Sequence, residues 1–107
     1  MTVYAPGTIA VIFVSQSTGT DPEGYAAAAA EMGALAEAQQ GYRGIDSTRG
    51  ADGLGITVSY WADEASAVAW RQNERHAEIR DRGRDRWYAW YSLHVAEVGR
   101  SYDWALP

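Results

Sequence analysis

His76 is the side chain of this sequence best suited to moving a proton near neutral pH, because an unperturbed imidazole titrates at about 6.5. Arg80 follows four residues later and carries a permanent charge that can pair with an anionic oxygen. Together they could take a proton from a bound ligand and stabilise the anion that forms. Two simpler interpretations stay open: His76 bonds a backbone carbonyl, or Arg80 forms an exposed salt bridge with Glu78 or Asp81.

Aromatic side chains are available to hold a flat ring through stacked or edge-to-face contacts. Trp61 shares a predicted strand face with Thr57 and Ser59, and a structural core more often has valine or isoleucine at such positions. This half-polar face favours a pocket, although a plain core position for Trp61 stays open. Trp61 is therefore predicted as a catalytic residue together with His76 and Arg80. The predicted substrate-binding residues are Thr57, Ser59, Trp70, Trp90 and Tyr91.

The segment "RWYAWY", residues 86–91, has four aromatic residues in six positions. On a regular strand Tyr88 and Trp90 would share one face, and Trp87 and Tyr91 the other. His94 would face the same way as Tyr88 and Trp90, in a structural or subunit-interface position. The segment therefore predicts a strand covered on both sides, with one of the two pairs lining a pocket.

Several kinds of chemistry are disfavoured by composition. The chain has no cysteine and no HExxH or paired-histidine spacing, so we expect no metal site. The net charge is −5, and the arginines between residues 71 and 86 alternate with carboxylates. That pattern is typical of a solvated helix face and not of a nucleic-acid-binding surface.

The length of 107 residues predicts a single domain over residues 1–107, with a core at about 8–98 and a tail at 99–107. No apolar run is long enough to cross a membrane, and no signal-peptide pattern opens the chain. We therefore expect a cytoplasmic protein without a membrane partner.

Hydrophobic periodicity predicts strands at 8–16, 42–49, 54–61 and 87–98. A helix capped by Asp21 should run to about Gln40, and a second, capped by Asp63, should end at Gly83. The order β-α-β-β-α-β is the ferredoxin-like split arrangement. We therefore predict an α+β fold with a four-stranded antiparallel sheet and two helices on one face.

The second predicted helix has an apolar stripe that includes His76 and leaves Trp70 to one side. The stripe consists of Ala65, Val68, Ala69, Gln72, His76 and Ile79. Trp70 is unusually large for a position off the stripe. It is expected to contact a ligand, a partner subunit or the C-terminal tail.

Three of the predicted strands have apolar residues on both faces, while the helices can cover only one face of the sheet. No element of the chain remains to cover the second face. A second copy would cover it by packing sheet against sheet, so the pattern predicts a twofold homodimer.

The segments "GYRGIDSTRGADGLGITVSYWADEASAVAW" and "RQNERHAEIRDRGRDRWY" resemble the antibiotic biosynthesis monooxygenase domain family, within the dimeric α+β barrel superfamily. The resemblance covers roughly residues 8–102, and its most specific part is "YWADE", then "AW", then His76. It implies a pocket in each subunit between the sheet and its helices. The family includes cofactor-independent oxygenases of aromatic polyketides and quinols, and haem-degrading monooxygenases.

The polyketide-oxidising branch has an asparagine four residues before the tryptophan that closes the third strand. Here Trp61 matches the tryptophan and Thr57 replaces the asparagine. Ala67 replaces a tyrosine of that branch, and Arg80 matches an arginine after a one-residue shift.

The haem-degrading branch has a helix-two tryptophan, which Trp70 matches. Val14 or Ser15 stands where that branch has an asparagine on its first strand. The iron-ligating histidine of that branch would fall near Arg80, about one turn beyond His76.

The resemblance implies a small cofactor-independent monooxygenase that oxidises an electron-rich aromatic substrate with O₂. The missing asparagine keeps open a non-catalytic dimeric protein that binds an aromatic metabolite. Haem degradation, with haem as a cofactor, is the third reading and rests on Trp70 alone.

Overall fold

A computed structural model describes residues 2–107 and contains four strands and three helices. The strands are β1 (Ile9–Ser17), β2 (Tyr42–Arg49), β3 (Leu54–Trp61) and β4 (Tyr88–Glu97). The helices are α1 (Pro22–Glu37), α2 (Glu64–Arg71) and α3 (Glu74–Arg86). The strands form one antiparallel sheet in the order β2-β3-β1-β4. The predicted ferredoxin-like α+β fold is confirmed, with three helices instead of two.

The second predicted helix is broken in two because Asn73 starts a new helix. Its Oδ1 accepts a hydrogen bond from the backbone N–H of His76 at 3.0 Å, which is the N-cap geometry that asparagine favours. The prediction that Gly83 ends this helix is wrong, since α3 continues to Arg86. A Cβ at Gly83 would lie 2.8 Å from the Tyr88 ring, so this glycine permits close packing inside the helix.

The break changes which side chains face the core. Ala65 and Ala69, predicted on the buried stripe, are exposed, whereas Ala67 and Trp70 are buried. The buried stripe was predicted for one continuous helix, and its spacing does not hold across two separate helices. Trp70 is therefore a core residue and not an outlier.

Replacing Asn73 by alanine is expected to reduce the free energy of unfolding by about 1 kcal/mol, because the first turn of α3 loses its cap. Urea unfolding followed by circular dichroism measures the change. Gln72→Ala is the matched control, since Gln72 is exposed and its side chain caps nothing. Equal stability of the two variants would contradict the assigned capping role.

Strand β4 contains a β-bulge that changes the faces of its aromatic residues. Gln16 pairs with Trp90 and Ser17 with Tyr88, so Ala89 is the extra residue. Tyr88 and Tyr91 consequently lie on the same side, with ring centroids 6.0 Å apart. The predicted pairing of Tyr88 with Trp90 on one face is wrong for this reason.

Trp87 is not part of β4, and the prediction that it shares a strand face with Tyr91 is also wrong. It is the C-cap residue of α3 and is 3% exposed. It packs with Ala28 of α1 and Ile79 of α3 in one of two buried clusters. In the other, Ile9 and Ala36 pack around Trp61. Met32 and Leu35 contact both clusters, so α1 joins them into one core on the helix side of the sheet.

The other side of the sheet, called here the open face, carries no helix. Its apolar side chains come from three strands: Ala10, Ile12, Val14, Ile56, Val58 and Trp90. Ile56 is 43% exposed and Trp90 48% exposed. The predicted uncovered second face is therefore present in the single chain.

None of the helices formed by residues 2–107 is long and apolar enough to cross a bilayer.

Candidate functional site

Four of the predicted site residues lie together at one end of the core. The ring of His76 stacks on Trp70 with centroids 4.4 Å apart, and Trp70 lies 5.8 Å from Trp61 in a second stacked pair. Trp61 is completely buried and donates its indole N–H to Ser59 Oγ at 2.9 Å. His76 is therefore the partly exposed member of this group, while Trp70, Ser59 and Trp61 are buried.

The hydrogen bond of His76 defines which ring nitrogen is free. Its Nδ1 lies 2.9 Å from the backbone oxygen of Trp70. Because a carbonyl oxygen only accepts hydrogen bonds, Nδ1 carries the proton and Nε2 has the free lone pair. The interpretation that His76 bonds a carbonyl is thus correct, and that bond leaves Nε2 able to act as a base.

Burial lowers the pKa of His76 below its usual 6.5, and the positive charge of Arg80 acts in the same direction. The bond to the Trp70 carbonyl opposes this shift without cancelling it. His76 is therefore neutral at pH 7 and ready to accept a proton at Nε2.

Lowering the pH is expected to destabilise the protein through His76. In the unfolded chain this residue takes up a proton near pH 6.5, whereas the folded chain, with its lowered pKa, does not. The free energy of unfolding should therefore fall as the pH drops below about 6.5, until the folded pKa is passed. Urea unfolding between pH 5 and 8 measures this slope.

His76→Gln should flatten this slope. The hydrogen-bonded carboxyls of Asp63 and Glu31 have lowered pKa values, so they change the free energy of unfolding in a separate, more acidic pH range. An identical slope in His76→Gln and the wild type would contradict the assignment.

Arg80 has a guanidinium nitrogen without a partner. Its Nε is buried and makes no hydrogen bond, while the nearest carboxylate oxygen, Asp81 Oδ1, lies 3.5 Å away. The predicted salt bridge with Asp81 is therefore present only as a long contact. Because a buried N–H without a partner is costly, Arg80 gains from an anionic oxygen bound beside it.

The helix side of the sheet is partly exposed along β4. Leu93 and Val95 point to this side, opposite Phe13 and Val11 of β1, yet they are 49% and 55% exposed. At the other end Arg84 donates from Nε to the Tyr91 hydroxyl at 2.6 Å. The helices therefore leave part of the sheet open along β4.

The polar residues of α3 and the facing residues of β4 extend over similar lengths. His76, Arg80 and Arg84 follow each other at four-residue intervals on α3, which spans ~12 Å. Tyr91, Leu93 and Val95 alternate along β4 over ~13 Å. Because Arg84 contacts Tyr91, His76 lies towards the Val95 end. We call these polar residues of α3 and these residues of β4 together the α3–β4 trough.

The remaining predicted residues do not join His76. Trp90 lies on the open face, on the other side of the sheet, as does His94. Thr57 faces the helix side, but its hydroxyl is hydrogen-bonded to Ser47 at 2.6 Å. Of the predicted substrate-binding residues, Tyr91 lies on the trough side of β4, whereas Trp70 is buried behind the stacked ring of His76.

The sequence reasoning missed Arg84, Leu93 and Val95. The four-residue spacing from His76 to Arg84 was a usable signal for one side of a helix. The alternation of Tyr91, Leu93 and Val95 was a usable signal for one face of a strand. Neither signal could show that the helices leave this face uncovered.

Two other surface depressions lie away from His76. One, of about 320 Å³, is formed mainly by residues 2–8 together with Arg43 and Ala62. The other, of about 240 Å³, lies between α1 and α3 beside Arg75, Arg82 and Arg86. Across the described chain, residues 2–107, no group of three or more potential metal ligands comes together.

The family described as antibiotic biosynthesis monooxygenase matches residues 8–82, and the chain belongs to this family. Its relative YqjZ, an uncharacterized protein of Bacillus subtilis (strain 168), is 42% identical over 95 residues, covering 89% of this chain and 82% of YqjZ.

Solved structures of low identity share the fold. SnoaB of Streptomyces nogalater, described as a cofactor-independent oxygenase, has a TM-score of 0.73 at 12% identity, over 84% of this chain and 91% of SnoaB. Rv0793 of Mycobacterium tuberculosis also has a TM-score of 0.73, at 16% identity, over 83% and 92% of the two chains.

A haem-binding role finds no support in these residues. Ser15, in the region where the haem-degrading branch has an asparagine, is completely buried, and its hydroxyl accepts a hydrogen bond from Arg49 at 2.8 Å. The ring of His76 lies flat on Trp70. The chemistry proposed below therefore uses no haem.

Proposed function

We propose that this protein is a cofactor-independent monooxygenase that oxidises an electron-rich phenol or hydroquinone with O₂ in the α3–β4 trough. The observation that carries the proposal is the neutral His76, whose Nε2 is free, one helical turn from Arg80, whose Nε makes no hydrogen bond. Family membership and the name given to SnoaB add support.

Proton removal is the step that the protein must provide. His76 Nε2 takes the phenolic proton, and Arg80 pairs with the phenolate oxygen that forms. Leu93 and Val95 offer an apolar surface to the ring. An apolar site strengthens the attraction between Arg80 and the anion because it limits screening by water.

The substrate itself supplies the electrons. The phenolate gives one electron to O₂, and the two radicals join through a new C–O bond at a ring carbon that carries hydrogen. The peroxide anion takes a proton from the His76 imidazolium. Loss of the remaining C–H proton with cleavage of the O–O bond leaves a carbonyl and one water. One oxygen atom of O₂ enters the product, and no outside reductant is needed.

Oxygen uptake by the purified protein tests the proposal. Anthrone-type and hydroquinone substrates should be consumed faster with the protein than by autoxidation alone, with product and O₂ in equal amounts. No uptake above the autoxidation rate across a broad panel would overturn the proposed activity.

A non-catalytic binding protein is the second candidate. It is favoured because Thr57 stands in place of the asparagine of the polyketide-oxidising branch and its hydroxyl is already bonded to Ser47. In that case an aromatic ligand should quench tryptophan fluorescence, chiefly of Trp70, without oxygen uptake. Fluorescence quenching reports binding and oxygen uptake reports turnover, so the two can be measured separately in the same sample.

We also propose that the open face packs against a second copy to form a homodimer. Ile56 and Trp90 of this face are half-exposed in a single chain, and a second sheet would cover them. Ile56→Arg should shift the protein from dimer to monomer in analytical ultracentrifugation, because the charge would be buried in the interface.

Ile45→Arg is the matched control for this experiment. Ile45 is 42% exposed, almost the same as Ile56, but it lies on the helix side of β2 opposite Ser59. Dissociation of both variants, or of neither, would contradict pairing through the open face.

A further inference from the structure

Three aromatic side chains lie in series from the ring of His76 through the core. Trp70 stacks on His76 with ring centroids 4.4 Å apart, and Trp61 follows Trp70 at 5.8 Å. Tyr42, at the start of β2, packs edge-on against Trp61, also at 5.8 Å. We call Trp70, Trp61 and Tyr42 the aromatic series. It leads from a residue of the α3–β4 trough to another part of the surface, because Tyr42 is partly exposed.

The spacing of these rings suits the transfer of single electrons. Electronic coupling between two π systems falls off exponentially with the gap between them, so rings in contact exchange an electron far faster than rings separated by other side chains. Each neighbouring pair of the aromatic series is in such contact. Indole and phenol rings are also the side chains that oxygen-centred radicals oxidise most easily. A positive hole on Trp70 can therefore move to Trp61 and then to Tyr42.

The surroundings of Trp61 favour onward transfer of a hole over its storage. An oxidised indole becomes a weaker oxidant once it loses its N–H proton. Trp61 is completely buried, and its N–H donates to Ser59 Oγ at 2.9 Å. A serine hydroxyl is not a base at neutral pH, so the proton stays on oxidised Trp61. The ring consequently remains a strong oxidant and takes an electron from its next neighbour.

Tyr42 is suited to be the end of the series. A tyrosine is oxidised at neutral pH only if its phenolic proton can leave, and partial exposure gives the Tyr42 hydroxyl access to solvent. Burial, followed by the negative charges of Glu37 and Asp46, raises the pKa of Tyr42. The same negative charges make removal of an electron from this ring easier, because they stabilise the positive charge that forms.

We propose that the aromatic series is a radical relay, in which Trp70 reduces a peroxyl radical of the aromatic substrate across the stacked ring of His76 and the hole moves through Trp61 to Tyr42. This inference rests on the proposed oxygenase for the source of the peroxyl radical. That radical arises when superoxide leaves before the C–O bond forms and the ring radical adds another O₂. The relay protects the residues around the trough from it.

The electrons and protons of the relay balance. The peroxyl radical takes one electron from Trp70 and one proton from the His76 imidazolium, and becomes the hydroperoxide that productive turnover also forms. Tyr42 supplies the electron that refills Trp70 by way of Trp61. Tyr42 releases its phenolic proton to solvent and is left as a neutral phenoxyl radical. An ascorbate-type reductant in solution then returns a hydrogen atom to the Tyr42 oxygen.

A hole placed beside Trp70 by light tests the relay without any substrate. The chain has no cysteine, so Gln72→Cys creates one attachment point for a ruthenium photo-oxidant, at an exposed position two residues after Trp70. After a flash in the presence of an electron acceptor, the absorption of a tryptophan radical should be replaced by that of a tyrosine radical. This conversion should be first-order and independent of protein concentration.

Substitutions in the labelled protein identify the path. Tyr42→Phe should remove the tyrosine radical and prolong the tryptophan radical, because phenylalanine is not oxidised. Trp61→Phe should also remove the tyrosine radical, since the hole then has no ring to occupy between Trp70 and Tyr42. Circular dichroism shows whether each variant is folded, and Tyr42→Phe decides the question if Trp61→Phe does not fold.

Tyr60→Phe is the matched control for the path. Tyr60 adjoins Trp61 in the chain, but it pairs with Ala10 in the row of open-face residues and its ring stacks on Tyr4, with centroids 3.9 Å apart. This variant should form the tyrosine radical as the wild type does.

Oxygenase turnover provides a second readout. Tyr42→Phe should keep the initial rate of oxygen uptake, because Tyr42 is separated from His76 by two other rings. It should lose activity sooner than the wild type and accumulate oxygen adducts on Trp70. Mass spectrometry of tryptic peptides measures these adducts.

The results separate the relay from the proposed oxygenase. A tyrosine radical of unchanged yield in Tyr42→Phe or in folded Trp61→Phe, or its loss in Tyr60→Phe, would overturn the relay whatever the oxygenase does. So would a tryptophan radical that persists in the wild type. A working relay in a protein that consumes no oxygen would overturn the oxygenase and the protective role, but not the electron path. Equal damage to Trp70 in the wild type and Tyr42→Phe during turnover would overturn the protective role alone.

Discussion

Replacing His76 by glutamine is expected to lower the rate of oxygen uptake about 10²- to 10⁴-fold, the range that a general base contributes. Glutamine keeps roughly the size and polarity of the ring but cannot take the phenolic proton. The protein should still fold, because the ring is stacked at the edge of the core and not enclosed by it. The rate above autoxidation measures the loss.

His94→Gln is the matched control, since His94 lies on the open face, away from the trough. It should keep the wild-type rate. The pH profile adds a test, because the rate should rise with pH through the lowered pKa of His76 and level off above it. A His76→Gln variant with the wild-type rate and profile would contradict the role of His76, while activity could still reside elsewhere in the protein.

Replacing Trp61 by alanine is expected to destabilise the fold by about 3–5 kcal/mol, the usual cost of removing a large aromatic residue from a core. Trp61 is completely buried between Tyr42 and Trp70, with ring centroids 5.8 Å from each. The change leaves a cavity and also removes the donor that pairs with the buried hydroxyl of Ser59. Urea unfolding of the wild type and the variant measures the difference.

Trp61→Phe separates the two contributions. Phenylalanine fills most of the space but has no N–H for Ser59, so the expected loss is smaller, about 1–2 kcal/mol. If Trp61→Ala unfolded at the wild-type urea midpoint, the core described around this residue would be wrong.

Local signals allowed much of the fold to be predicted. Asp21 and Asp63 each accept a hydrogen bond from a backbone N–H three residues later, as expected for residues that cap helices. The helix joint at Asn73 was missed because the apolar period continues across it, from Val68 through His76. An asparagine inside a helical pattern was the available sign, since asparagine favours caps over helix interiors.

The site was harder to predict because it depends on how elements meet. His76 reaches Trp70 only through the joint between α2 and α3, and a single continuous helix gives these residues other neighbours. Trp90 was placed with the substrate-binding residues because a sequence does not show which sheet face the helices cover. The β-bulge at Ala89 places Tyr88 on the same side of the sheet as Tyr91. No glycine or proline in the sequence marks this bulge.

The support of His76 by a neutral main-chain oxygen limits which substrates suit this protein. In many hydrolases a carboxylate holds the catalytic histidine and stabilises its charged form. The Trp70 carbonyl orients the ring but offers no full negative charge, so the protonated ring is a comparatively strong acid. Such a base removes only the more acidic protons, and it returns them readily to the peroxide anion. Among electron-rich phenols and hydroquinones, those with the more acidic hydroxyl protons should therefore react in preference.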